Sequence, residues 1–127
     1  MLAYRRLKVH EKAFTLGLRV NEFLEGPAFE RRYWFKDQIS RAAWSISGNI
    51  AEGNGRSTPL DYAAFLDRAR GSAFELDNWL CAAAASGWCS EQQQQQFERD
   101  IDEISAMLFT MAAQLRNKRS LESRDGP

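Results

Sequence analysis

Four segments of the chain carry apolar side chains at alternating intervals of three and four residues, with polar positions between them. This spacing is typical of amphipathic α-helices that each bury one face. The pattern predicts an all-α protein in which four helices share one core. The apolar positions are, segment by segment, Val9, Ala13, Leu16, Val20 and Phe23; Phe35, Ile39, Ala42, Ile46 and Ile50; Tyr62, Leu66, Ala69, Ala73, Leu76 and Leu80; and Phe97, Ile101, Ile104, Leu108, Met111 and Leu115.

Glycines mark the boundaries between these segments. Gly26 follows the first segment, Gly53 and Gly55 follow the second, and Gly87 follows the third. We expect Gly53 and Gly55 to end the second helix and to allow a positive φ there. The connections are short, so consecutive helices pack side by side in opposite directions, which predicts an antiparallel up-down-up-down four-helix bundle.

Two helix starts carry recognisable capping residues. Thr58 precedes a proline and predicts the N-cap of the third helix, while Ser90 and Gln93 have the spacing of a capping box for the fourth. We assign residues 1–120 to a single bundle domain. Residues 121–127 are polar and are expected to form a flexible tail.

The first two predicted helices have a second apolar face. At 100° per residue, these side chains lie roughly opposite the core stripe of their own helix. A lone bundle would leave them in water, so they indicate a partner surface, and a second copy of the chain is the simplest partner. The alternative is that loops and the tail cover them. The predicted oligomer interface consists of Leu7, Phe14, Leu18, Trp34 and Trp44.

The composition indicates an ordinary globular domain, since 44% of the 127 residues are hydrophobic and 27% are charged. The longest apolar run, residues 79–85, is far shorter than the ~20 residues of a membrane helix, so we expect a cytoplasmic protein with no membrane partner. Cys81 and Cys89 do not have the spacing of a redox or zinc motif. We expect both to be small buried hydrophobic residues.

Basic side chains concentrate in the first half of the chain, although the net charge is zero. Residues 1–60 have 10 basic and 6 acidic side chains, net +4, and residues 61–127 have 7 and 11, net −4. The molecule is therefore either asymmetric in charge or built from two complementary halves. A basic half would allow weak binding to the phosphates of RNA or DNA. The candidate contacts are Arg5, Arg6, Lys8, Lys12, Arg31, Arg32 and Lys36.

Catalysis finds little support in the sequence. The only histidine, His10, is expected on an exposed helix face, and the carboxylates of Asp100, Asp102 and Glu103 lie on an outward one. Neither a metal-ligand spacing nor a glycine-rich phosphate loop occurs. We therefore predict that the protein is not an enzyme and uses no metal, cofactor or small-molecule substrate.

The end of the second segment carries polar residues that bundle packing does not explain. They lie three and four positions apart, and charged residues of the third segment would come near them. A buried hydrogen-bonded network that sets the helix register is one interpretation, and a polar binding site at the end of the bundle is the other. The predicted cluster consists of Asn49, Glu52, Arg56, Arg70 and Glu75.

The same region resembles a known family. The run Asn49-Ile50-Ala51-Glu52-Gly53 is similar to a motif of four-helix-bundle proteins encoded in intervening sequences of bacterial 23S ribosomal RNA genes. The resemblance spans roughly residues 7 to 116. Further matching positions are Gln38-Ile39, Arg41-Ala42-Ala43, Ser45-Ile46, Gly55-Arg56, Phe65-Leu66, Ala69, Arg70-Gly71-Ser72 and Glu75-Leu76.

This resemblance implies an all-helical bundle that assembles as a homopentamer and whose biochemical role is largely undetermined. Related accessory proteins of diversity-generating retroelements share the bundle and the pentamer, and they bind nucleic acid through a basic surface. The resemblance thus favours a homo-oligomeric scaffold that binds RNA or DNA weakly. The alternative is a protein-interaction module for an unknown bacterial partner, without nucleic-acid binding.

Overall fold

The computed structural model describes residues 1–125, and the side chains of residues 1–118. Within this part the chain is mostly helical, without a β-strand, which confirms the all-α class and the four predicted helices. Short 3-10 turns at Ala3–Arg6 and Pro27–Phe29 precede the first and second helices. The helices are α1 (Lys8–Phe23), α2 (Tyr33–Asn54), α3 (Pro59–Ala85) and α4 (Glu91–Asp125).

Each helix packs against its neighbours in the chain, and α1 closes the bundle against α4. Residues early in α3 contact residues late in α4: Asp67 pairs with Arg116, while Cys81 lies beside Gln94. This order is that of antiparallel neighbours, as the short connections predict. The same reversal relates α1 to α4 through Lys12 with Glu103 and Phe23 with Phe97, and α2 to α3 through Ser45 with Ser72 and Phe35 with Trp79.

The core consists of the apolar stripes predicted from the spacing. Most of these side chains are buried, and the exceptions, at the ends of their stripes, are half-buried and pack against the core. Phe29, in the connection between α1 and α2, is also buried, and its ring lies against those of Phe23 and Phe35. The α-helical spacing does not predict the burial of Phe29, because this residue lies in a 3-10 turn between two helices.

The predicted caps of α3 and α4 are confirmed. The Thr58 hydroxyl accepts a hydrogen bond from the backbone amide of Asp61 at 3.1 Å. Ser90 and Gln93 exchange side-chain to backbone hydrogen bonds, each of 3.1 Å, which is the geometry of a capping box. These bonds satisfy backbone amides that have no partner within their own helix.

The prediction of positive φ at Gly53 and Gly55 is wrong. Gly53 lies inside α2, and Gly55 has a φ of −82°. Over residues 1–125, positive φ angles occur at Gly87, 81°, and at Arg31, 67°. Gly53 is required for a different reason: a Cβ there would lie 2.7 Å from the Cβ of Phe65, so its small size lets α2 and α3 approach each other.

The carboxyl end of the chain continues as helix to Asp125, past residue 120 where we placed the end of the domain. The last two residues of the expected tail, 126 and 127, lie outside the described residues, and the domain boundary stays a prediction. Cys89 is buried as expected, and burial raises the pKa of its thiol. Cys81 is exposed, so the prediction of its burial is wrong. Among the described residues, no helix combines the length and apolar character needed to cross a membrane.

Candidate functional site

The predicted polar cluster does not form one hydrogen-bonded network. The Asn49 amide donates to the backbone oxygen of Ser45 at 2.8 Å and to its hydroxyl at 2.9 Å. That hydroxyl lies 2.8 Å from the hydroxyl of Ser72, which ties α2 to α3. Arg56 and Glu52 form a separate ion pair of 3.0 Å, one helical turn apart on the exposed surface. The serine link was not predicted, because one sequence does not show which positions of two helices face each other.

The other two members of the predicted cluster lie elsewhere on α3. The Arg70 guanidinium lies 4.9 Å from the ring centre of Phe74 and 5.0 Å from that of Phe109, on the α4 side of the helix. Glu75 accepts a hydrogen bond of 3.4 Å from the indole nitrogen of Trp79. Residues 70 and 75 are five positions apart, so their side chains point in directions about 140° apart around the helix axis. They cannot both point toward the end of α2. The prediction of a single cluster is therefore wrong.

The predicted interface residues of α1 are partly confirmed as exposed. Phe14 is 45% exposed and Leu18 is 52% exposed, whereas Leu7 is half-buried and packs against the core. Trp44 of α2 packs against this surface, with 5.3 Å between its ring centre and that of Phe14. Gly17 has no side chain, and the six-membered ring of Trp44 fills the space beside it. We call Phe14, Leu18 and Trp44 the α1–α2 face.

A groove of about 500 Å³ runs beside the α1–α2 face. It is lined by Tyr4, Phe14 and the open position of Gly48, where an added Cβ would meet no atom within 4 Å. His10 also lines this groove, but its side chain is buried between aromatic rings, so the expectation of an exposed, solvated histidine is wrong. Burial, with Arg5 nearby, lowers the pKa of His10.

A second apolar surface lies between α3 and α4, and the sequence did not predict it. Phe74 is 52% exposed and Phe109 is 59% exposed, and the Arg70 guanidinium lies between their rings. We call these three residues the α3–α4 face. A groove of about 700 Å³ begins at Phe74 and contains three carboxylates and a single cation. The charged residues of the groove are Asp77, Glu98, Arg99 and Asp102.

The predicted nucleic-acid contacts do not share one surface. Arg5, Arg6 and Lys8 lie at the amino end of α1, and the other group follows its carboxyl end. The 16 residues of α1 separate the two groups by about 24 Å. Lys12 is engaged by Glu103, with Nζ to Oε1 2.6 Å, and this carboxylate raises the pKa of Lys12.

The second basic group lies at an end of the bundle that is rich in aromatic rings. Arg31 and Arg32 come directly before Tyr33 and Trp34, the first two residues of α2, and Lys36 follows them. These rings are the most exposed aromatic side chains among the described residues, at 72% and 66%. We call these five residues the aromatic–basic end.

Trp34 and Trp44, which the sequence assigned to one surface, therefore lie on different ones. The Trp34 ring packs edge-on against Trp79 of α3, with 5.6 Å between ring centres. Trp44 packs against Phe14 of α1 instead. The two residues are ten positions apart, which leaves their side chains about 80° apart around the helix axis. One ring therefore faces α3 and the other faces α1.

A family model described as 23S rRNA-intervening sequence protein matches residues 5–110 of this chain. The chain belongs to this family. The match begins before α1 and covers α2, α3 and most of the described part of α4, so it agrees with the extent of the resemblance seen in the sequence motifs.

This family member is similar to a solved structure, the crystal structure of a protein with unknown function from the S23 ribosomal protein family of Bacteroides thetaiotaomicron VPI-5482. The two share 23% sequence identity and superpose with a TM-score of 0.75, over 82% of this chain and 97% of that one. At this identity the likeness shows the fold alone. No curated protein matches the chain.

In this family member, residues 49–53 carry out packing roles that the structure makes visible. Ile50 is fully buried, Gly53 allows the close approach of Phe65, and Asn49 begins the hydrogen-bonded link to α3. Glu52 is exposed and pairs with Arg56. Over residues 1–125, no three His, Cys, Asp or Glu side chains come together in a way that would hold a metal ion.

Proposed function

We propose that this family member is a non-enzymatic helical scaffold that assembles with copies of itself. The observation that carries the proposal is a pair of apolar faces on a bundle whose core is complete without them. Phe14 and Leu18 on one face, and Phe74 and Phe109 on the other, are between 45% and 59% exposed. Contiguous exposed apolar side chains of this kind mark contact surfaces.

The two faces lie on opposite sides of the molecule. Helices α1 and α2 are neighbours, as are α3 and α4, and α1 meets α4 on the far side of its contact with α2. One face is therefore placed to meet the other face of the next copy, which gives a head-to-tail contact. Contacts of this type close into rings when the rotation between copies allows it. The pentamer implied by the family resemblance is a ring of this kind.

Polar groups on the α3–α4 face support a contact there. The Arg70 Nε and the Asp77 Oδ1 are buried and lack a hydrogen-bond partner among the described residues. Buried polar atoms nearly always have a partner in native proteins, and these two side chains would have to turn outward to find one on the next copy. The groove beside them has three carboxylates and one cation, so it would attract cations of the next copy. We therefore expect assembly to weaken as salt increases.

Light scattering coupled to size exclusion tests the proposal. We expect a mass near five times the 14.5 kDa of one chain. Leu18→Glu and Phe109→Glu each place a charge on one face, so each variant alone should run as a single chain. An equimolar mixture of the two should form a two-chain complex, because each variant keeps the face that the other has lost.

Leu60→Glu is the matched control. Leu60 is 48% exposed in the first turn of α3 and belongs to neither face, so this variant should keep the mass of the unmodified protein. Circular dichroism establishes that all three variants are folded. A single-chain mass for the unmodified protein at low salt would contradict self-assembly, and the same faces would then favour the alternative, a partner of different sequence. The cytoplasmic location stays a prediction.

A further inference from the structure

The aromatic–basic end combines exposed aromatic rings with cations, and self-assembly through the two apolar faces involves neither these rings nor these cations. Tyr33 and Trp34 expose about two thirds or more of their side chains to solvent, although a large aromatic ring gains most from burial. Both belong to the first turn of α2, away from Phe14 and Phe109. Exposed rings of this kind suit a ligand that offers flat apolar surfaces.

The cations around the two rings are available to a ligand. Over residues 1–118, no carboxylate forms an ion pair with Arg31, Arg32 or Lys36, whereas Arg19, Arg41, Arg56 and Arg116 are all paired. The Lys36 Nζ lies 5.9 Å from the ring centre of Tyr33, so a cation stands directly beside an exposed ring. The nearby carboxylate of Asp37 is already engaged by Arg41 at 2.9 Å.

Several of these side chains are held in place before any ligand arrives. The Arg32 guanidinium lies 3.8 Å from the ring centre of Trp88, and its Nε donates to the backbone oxygen of Ala28 at 2.9 Å. The Trp34 ring rests edge-on against Trp79. Arg31 has a φ of 67°, a backbone conformation that is rare outside glycine and costs about 1 kcal/mol or more. Side chains that are ordered in advance lose less entropy when they bind.

We propose that the aromatic–basic end binds single-stranded nucleic acid, with bases stacked on Tyr33 and Trp34 and phosphates held by Arg31, Arg32 and Lys36. Stacking on aromatic side chains combined with basic contacts to the backbone is the chemistry that recognises unpaired strands. The bases of a duplex are stacked on each other inside it and cannot reach such rings. RNA and DNA share this chemistry, so both are ligand candidates and the measurement compares them.

The amino end of α1 is the competing basic region, and it lacks the aromatic half of this chemistry. Arg5, Arg6 and Lys8 are exposed there, but the nearest ring, Tyr4, is half-buried and packs on His10 with 4.7 Å between ring centres. Phe14 lines the same groove as Arg5, but it belongs to the α1–α2 face, which the proposed self-assembly covers. A strand bound at that end of the assembled protein would therefore have phosphate contacts without stacking. The two ends therefore predict different ligand preferences.

Fluorescence anisotropy with labelled oligonucleotides tests the proposal. We use the full chain with oligouridine and oligothymidine strands of about 12 nucleotides, and a duplex of the same length. We expect both strands to bind more tightly than the duplex at about 50 mM salt and to weaken at about 200 mM. With three phosphate contacts, the slope of log affinity against log salt should be about −2. Equal or tighter binding of the duplex would overturn the proposal.

Two double variants separate stacking from simple apolar contact. Y33F/W34F keeps both rings and should keep most of the affinity for the single strand. Y33L/W34L keeps apolar side chains that suit a helix but removes the rings, and should weaken binding by about fivefold or more for each base that is lost from a ring. Both residues are exposed, so we expect both variants to melt at the temperature of the unmodified protein.

Light scattering on the same variants tests whether the two rings join copies of the chain instead. We expect an unchanged mass for Y33L/W34L. A lower mass with unchanged oligonucleotide affinity would show that the rings contact another copy, and would overturn the proposal. Unchanged affinity at unchanged mass would overturn it as well.

Removing one charge tests whether Arg31 contacts a phosphate of the bound strand. Arg31→Gly removes a cation and also removes the strain of a positive φ, so this variant should fold at least as well as the unmodified protein. Its salt slope should become shallower by about 0.7, the contribution of one phosphate contact on a single strand. Arg6→Gln, at the competing end, is the matched control and should leave the slope unchanged. The reverse result, a shallower slope for Arg6→Gln alone, would move the site to the amino end and overturn the assignment.

Discussion

His10 shows how the environment of one residue sets its chemistry. Its side chain is only 9% exposed, because Tyr4 of the short 3-10 turn packs edge-on against the imidazole and Phe14 lies on the other side. Burial penalises the charged form, and the positive charge of Arg5 adds to the penalty, so the pKa of His10 falls below its usual value of 6.5. The fold therefore favours the neutral form of this histidine more than the unfolded chain does.

This shift predicts how stability depends on pH. Because the pKa is lower in the folded state, the unfolded chain takes up a proton first as the pH falls through about 6.5. The free energy of unfolding is then highest above that pH and decreases as the pH drops toward the folded pKa. His10→Gln does not titrate and should show a smaller loss between about pH 7.5 and 5.5. Urea unfolding at the two pH values measures it, and an identical loss in both proteins would contradict the assignment.

At the scale of the helix, small residues decide how closely neighbours approach. Gly53 brings α2 onto Phe65 of α3, and Gly17 of α1 makes room for the Trp44 ring of α2. Both are helical positions where glycine normally destabilises, so contact with the neighbouring element must outweigh the lost helix propensity. Gly53 was predicted to end α2. A single sequence does not distinguish a glycine that ends a helix from one that allows another helix to come close.

A pair of glycine substitutions tests this explanation. Gly53→Ala would place a Cβ 2.7 Å from the Cβ of Phe65, an atom that cannot move without its backbone, and we expect the free energy of unfolding to fall by about 1–3 kcal/mol. Gly71→Ala is the matched control within α3, since its Cβ meets no atom within 4 Å, and it should raise stability by about 0.5–1 kcal/mol. Urea unfolding compares them, and a stabilised Gly53→Ala would disprove the packing role.

At the scale of the whole molecule, the unequal charge of the two halves of the chain is partly balanced within the bundle. Lys12 and Arg19 of α1 reach across to Glu103 and Asp100 of α4, so basic residues of the first half meet acidic residues of the second. The structure thus shows that the two halves are electrostatically complementary along this seam. Among the basic residues of the first half, the six without an ion pair over residues 1–118 lie at the aromatic–basic end and around the start of α1, and these are available to a ligand.

This seam predicts a salt-dependent contribution to stability. Asp100→Asn removes the partner of Arg19 and should lower the free energy of unfolding by up to about 1 kcal/mol at low salt, because the pair is partly exposed. The loss should shrink as salt screens the interaction. Glu22→Gln, on the exposed surface of α1, makes the same change in charge and should stay within about 0.5 kcal/mol of the unmodified protein. Thermal unfolding at two salt concentrations checks both variants, and a salt-independent loss would point to packing instead.

The surface, in contrast to the core, was predicted only in part. Phe14 and Leu18 are exposed as expected, but Trp34 and Trp44 belong to different surfaces, and the α3–α4 face around Phe109 was not foreseen. A spacing rule shows which side of one helix is apolar. It does not show how that helix is rotated against its neighbours, and this rotation decides which residues of two helices form one surface.

The four helices, their buried stripes, the caps at Thr58 and Ser90, and the family could all be predicted from the amino-acid sequence. These features depend on spacings and hydrogen bonds within a few residues, or on motifs that can be read directly along the chain. The separation of the predicted polar cluster into independent contacts, the burial of His10, and the packing of Trp34 on Trp79 but of Trp44 on Phe14 became visible only in the folded molecule. Those features depend on packing between segments distant in the chain, which local spacing does not encode.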